Sequence, residues 1–150
     1  MTDPIHAAHK VEPAYAEAIG RATYAFALME WSAIWCCEAL DDGYAERMHH
    51  TTAGEVGEDF ERMARATGDP HLRNELVGAA DEFRRLVRVR NALAHGKPGH
   101  DAEGRCILVN DGRPWILEGV LNAAHLFETC AGRLAALLEQ RLGGREAAAR

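Results

Sequence analysis

Apolar residues recur at steps of three and four along most of the chain, which is the spacing of amphipathic helices. Over residues 13–42, Tyr15, Ile19, Ala22, Phe26, Met29, Ala33 and Cys37 fall on one stripe, while Tyr24, Leu28, Trp31 and Trp35 fall on another. This first helix is therefore apolar on more than one side, and two neighbours or a second copy of the chain must cover it. Pro13 suits its first turn, and Asp41-Asp42-Gly43 stops it. Residues 54–67 predict a shorter helix with Val56, Phe60 and Met63 on one face. A third helix starts at Asp69-Pro70 and runs through Leu72, Leu76, Ala79, Phe83, Leu86, Val87 and Leu93 until His95-Gly96 and Pro98 close it. The period then changes: residues 105–109 and 113–117 flank Asn110-Asp111-Gly112, the signature of a short hairpin. Pro114 cannot donate to a ladder, which puts its strand at an edge. A last helix over 118–142 turns Val120, Leu121, Ala124, Phe127, Ala131, Leu134 and Leu138 inward. The expected fold is mainly all-α, a four-to-five-helix bundle with a short β-hairpin between the third helix and the last. One domain over 1–150 is expected, with a flexible leader to about residue 12 and a flexible tail over 143–150.

Composition narrows the class. With 150 residues, 47% apolar and 27% charged, the chain is long enough for one core and too apolar for disorder. Two of its four cysteines, Cys36 and Cys37, are adjacent, and no pair has the spacing of a metal knuckle or a disulfide scaffold. That usage suits a reducing compartment, and the opening residues lack the apolar core of a secretory signal, so a cytoplasmic location is expected. Residues 22–37 come closest to a membrane span but are short and contain Thr23, Glu30 and Ser32. The net charge of −6 argues against a protein that coats nucleic acid with its whole surface. Residues 84–113, however, carry seven Lys/Arg (Arg84, Arg85, Arg88, Arg90, Lys97, Arg105, Arg113) against three acids, a balance of +4 that leaves −10 elsewhere. Such a segment can hold a phosphate, and it can equally be a solvated helix face.

One arginine is out of place. The stripe that passes through Phe83 and Val87 continues to Arg90 and Ala94, on the side that should be buried. An unpaired buried guanidinium costs several kcal/mol, so Arg90 needs an acid, an anion or a water-filled cleft. Glu30, the only charged residue between Ala22 and Cys37, is the natural candidate, and a Glu30–Arg90 contact is predicted. The plainer reading of such a contact is an ion pair joining two helices. Asn91 and His95, four residues apart, nearly eclipse on a helix, whereas Arg90 and His95 are separated by about 140°. Reaching one phosphate with both requires the length of the arginine, a loosened turn at Gly96, or a second copy.

Arg90-Asn91, three further residues and His95, at the end of the third helix of a small bundle, resemble the motif of the HEPN superfamily, many of whose members are metal-independent endoribonucleases. The resemblance implies that two protomers pair their motif helices into one composite site. Arg90, Asn91 and His95 would be its catalytic residues, with Glu30 supporting Arg90. RNA supplies its own nucleophile in the 2′-hydroxyl; His95 would move protons, Arg90 would stabilise the phosphorane and Asn91 would orient either. The products would be a 2′,3′-cyclic phosphate and a 5′-hydroxyl, with no metal or cofactor. Arg88, Lys97 and Arg105 are candidate contacts to RNA phosphates. The implied partners are RNA, a second copy and, in a toxin–antitoxin or defence setting, an antitoxin or other protein; no membrane is implied. In the superfamily's best-marked toxin branch a tyrosine stands two residues after the histidine and is modified by a partner enzyme; here Lys97 stands there, which puts that route of neutralisation in doubt. The alternative is a non-catalytic module of the same fold that binds RNA, a nucleotide or a protein. An accessible His95 and an Arg90 facing a cleft favour the enzyme, and an Arg90 sealed against Glu30 favours the module.

Other groups carry less. His95, His100 and Cys106 lack a second ligand pair for zinc. His6, His9 and the His49-His50 pair have no visible partner. Trp31, Trp35 and Trp115 read as core residues rather than base-stacking platforms, and Cys36 and Cys37 as small core residues.

Overall fold

The protein is described by a computed structural model covering residues 10–48 and 51–143; His6, His9, His49-His50 and residues 144–150 lie outside the described residues. Of the helix starts, those of α3 and α4 carry N-cap side chains that satisfy the first free N–H groups, while the others do without. Pro13 opens α1 (Pro13–Leu40). The α1 helix ends ahead of Gly43, whose left-handed φ of +84° turns the chain into the short α2 (Tyr44–Arg47). The Glu38 carboxylate secures that turn by accepting from the N–H groups of Gly43 and Ala45 at 3.0 and 2.8 Å. Thr52 and Glu55 form a reciprocal capping box on α3 (Ala53–Ala66). Asp69 caps α4 (Pro70–Ala94), accepting from the N–H groups of His71 and Leu72 at 2.8 and 3.0 Å.

The last helix, α5 (Leu117–Arg141), lies alongside α1 and runs in the same direction. Phe26 meets Phe127 edge to face with centroids 5.3 Å apart, and Cys36 donates to the Leu134 carbonyl further along. The α4 helix runs antiparallel to both α3 and α5: Arg84 bonds Glu61 near the middle of α3, and Arg141 at the end of α5 reaches Glu75 at the start of α4. Phe60, Leu76, Phe83, Leu86, Val120 and Leu134 are fully sealed between them.

The sheet is larger than the sequence suggests. Strands β2 (Cys106–Asn110) and β3 (Arg113–Trp115) form the expected hairpin, turning through Asp111 and Gly112 with φ of +49° and +73°, the left-handed pair of a type I′ turn. A further strand, β1 (Lys97–His100), pairs antiparallel with β2, where Lys97 faces Val109 and His100 faces Cys106. Its Lys-Pro-Gly-His sequence has no strand preference of its own. Gly99 lets Val109 lie flat against it, since a Cβ there would come within 2.7 Å of the valine methyl. The order β1-β2-β3 leaves both Pro98 and Pro114 on edges. Tyr15 ties the sheet to α1: its hydroxyl donates to the Trp115 carbonyl at 2.6 Å and accepts from the Leu108 N–H at 2.9 Å.

Two expectations of burial fail. Of the second stripe on α1, Tyr24, Leu28 and Trp31 are 73%, 46% and 50% exposed, so Trp31 is not a core residue; it leans on the half-buried Trp35 ring. Leu121, expected inward, is 39% exposed. Among the described residues no helix is long and apolar enough to cross a membrane.

Candidate functional site

The end of α4 is fixed by the passage into β1. His95 is the C-cap, its N–H bonding the Asn91 carbonyl at 2.9 Å, and the Gly96 N–H bonds the Leu93 carbonyl at 3.1 Å. A Cβ at Gly96 would stand 2.9 Å from the Leu108 Cβ, so glycine is what lets β2 close on the helix end. The motif is therefore held between the bundle and the sheet.

Arg90 faces a groove of about 510 Å³ between α1, the end of α4 and β2. Its walls include Phe26, Glu30, Leu93 and Leu108. The guanidinium carbon lies 4.4 Å from the centre of the Phe26 ring, a cation–π contact. Glu30, one helical turn beyond Phe26, lines the same groove half-buried. Burial raises its carboxyl above the ordinary glutamate range, and the Arg90 charge opposes that shift in part. The expected direct Glu30–Arg90 pair is not formed: no hydrogen bond or ion pair joins the two, because the guanidinium rests on the Phe26 ring instead. Both charges thus face one cavity without neutralising each other by contact.

His95 is exposed and Asn91 half-buried; neither lines the Arg90 groove. The helix sends them round the axis from Arg90, by about 140° for His95, as the spacing predicts. One copy does not bring the trio to a single point. On the His95 side, Ala92 forms part of a second concavity of about 590 Å³ with Asn110, Asp111, Arg113, Trp115 and Gly119. The hairpin thus contributes its turn to a concavity beside the motif helix. Its turn was legible, but where the turn comes to rest depends on β1, which was not.

The basic segment divides in two. Arg84 bonds Glu61, Arg85 bonds Glu82 at 2.8 Å, and Arg105 bonds Asp101 at 2.7 Å and Glu103 at 3.3 Å. Arg88, Arg90, Lys97 and Arg113 make no ion pair among the described residues, and of these Arg88, Lys97 and Arg113 are exposed. Of the three candidate phosphate contacts, Arg88 and Lys97 are therefore available, whereas Arg105 is engaged within its own loop.

Among the described residues no group of three or more His, Cys, Asp or Glu side chains is placed to hold a metal ion. Cys36 and Cys130 are sealed in the core, where burial pushes their thiols up to about 12 and about 11, which makes them poor nucleophiles. No family model, curated protein or solved structure matches the chain.

Proposed function

We propose that the protein is a HEPN-type endoribonuclease that cleaves RNA through its own 2′-hydroxyl, at a site completed by two copies of the chain. The observation that carries this reading is Arg90: it makes no ion pair among the described residues and stands at the wall of an open groove rather than sealed against Glu30, at the end of a helix whose C-cap, His95, is exposed. Arg90 stabilises charge on the phosphorane. His95 takes the proton from the 2′-hydroxyl or delivers one to the departing 5′-oxygen, and with a second copy one histidine does each. Asn91 orients the imidazole or a phosphate oxygen, and Arg88 and Lys97 hold flanking phosphates. The exposed Tyr24, Leu28 and Trp31 follow Ala27 of the groove wall around α1, which gives a second copy an apolar surface to cover beside the site. A toxin–antitoxin or defence setting, with an antitoxin protein as partner, is part of the same reading.

The separation of Arg90 from His95 within one copy favours a second reading, a non-catalytic module that binds RNA, a nucleotide or a protein on these surfaces. Cleavage of a mixed RNA pool in EDTA decides between them. Wild type is expected to cut and to leave cyclic-phosphate ends, with His95→Ala losing at least about a hundredfold in rate. A folded, dimeric wild type that leaves the pool intact overturns the nuclease and leaves the module.

A further inference from the structure

Glu30 was expected to hold Arg90 and does not, which raises the question of what its carboxylate is for. It is half-buried in a largely apolar groove, accepts no hydrogen bond among the described residues, and has its charge disfavoured by burial, which the Arg90 charge offsets only in part. A carboxylate kept there without a hydrogen-bond donor raises the free energy of the empty site, and a ligand that brings N–H donors relieves it. Arg90 has the complementary need for an anion. The groove's volume of about 510 Å³ lies in the usual range for small-molecule sites, roughly 300–1,000 Å³.

We infer that the groove seats one nucleotide, its phosphate on Arg90 and its base edge on Glu30, and that Glu30 selects guanine. The proposal rests on the nucleic-acid reading above and names the base that site prefers. The arrangement asks for a ligand with an anion at one end and clustered N–H donors at the other, joined by a flat apolar body that suits walls such as Phe26, Leu93 and Leu108. Guanine alone among the common bases presents two adjacent donors, the ring N1–H and the exocyclic N2–H, to both oxygens of one carboxylate. Adenine and cytosine offer a single amino group and uracil a single imino group, so each leaves one Glu30 oxygen unmatched. Because Phe26 supports one face of the guanidinium, Arg90 holds its position without a carboxylate and keeps its charge for the phosphate.

Binding of mononucleotides to the full chain, measured by calorimetry, tests this without requiring cleavage. GMP is expected to bind at least about tenfold more tightly than IMP, which lacks only the exocyclic amine, and than AMP. Glu30→Gln should remove the preference for GMP over IMP while still unfolding cooperatively, and Arg90→Gln should weaken all three nucleotides alike and flatten the dependence on salt. Equal binding of GMP, IMP and AMP, or a preference that survives Glu30→Gln, overturns the inference. So does a groove that takes no nucleotide, including one filled by a second copy, which Glu30→Gln would reveal as a changed dimer dissociation constant. The two readings fail separately: cutting in EDTA without base preference removes this inference and keeps the nuclease, whereas GMP preference without cutting does the reverse.

Discussion

In the first three-quarters of α4, Leu76, Phe83 and Leu86 are sealed in the core, and Arg84 and Arg85 are tied to Glu61 and Glu82. In its last two turns the same helix carries Arg88 and Arg90 with no ion pair among the described residues and ends on an exposed histidine. The difference separates residues that build the bundle from residues the bundle presents. A helix anchored over most of its length by packing holds its final turns in place without contacts that would occupy their functional groups. The first part answers to stability and the last to ligands, which mutations on the two parts should expose.

The largest effect belongs to the packed part. Phe83→Ala should destabilise the protein by about 3–5 kcal/mol, read from urea unfolding, because it opens a cavity where the ring now fills the space beside Gly57. His95→Ala should stay within about 0.5 kcal/mol of wild type in the same measurement, since the side chain is exposed. If His95→Ala unfolded the protein as readily as Phe83→Ala, the division within α4 would be wrong. A smaller effect is expected at the paired arginines. Arg85→Ala removes a solvent-screened pair with Glu82 and should lower stability by less than about 1 kcal/mol, with the difference shrinking in high salt. Arg88→Ala, which breaks no ion pair among the described residues, should show no salt-dependent difference at all.

How much of this was legible in the sequence follows the same division. The helices could be read because three- and four-residue spacing, caps such as Asp69-Pro70 and the Asp111-Gly112 turn are local signals. Arg90's odd place on an apolar stripe was legible for that reason, and so was its angular separation from His95. Strand β1 was not, because Lys97–His100 is a strand only through its pairing with β2. The missing Glu30–Arg90 pair was equally hidden. Two lone opposite charges on facing helices suggest a bridge, but the outcome depended on Phe26 standing one turn before Glu30, where its ring receives the guanidinium. The concavity beside Ala92 was hidden too, since it depends on where the hairpin comes to rest, a contact between elements distant in sequence.

The smallest effect has the opposite sign and bears on Glu30. Burial favours its neutral form more than Arg90 favours its charged form, so the native carboxyl keeps its proton where the unfolded chain has already released it. In that window the native state binds more protons, and stability falls as pH rises from the ordinary glutamate value of 4.5 through the raised native value, then levels off. Glu30→Gln removes the titrating group. Unfolding at a series of pH values should therefore give variant and wild-type curves that run parallel below that window and diverge across it, with the variant the more stable at neutral pH. Divergence in the other direction would mean that attraction to Arg90 outweighs burial. Glu30 would then serve to hold the arginine in solution after all, and the last turns of α4 would belong to the packed part of the helix rather than to its presented end.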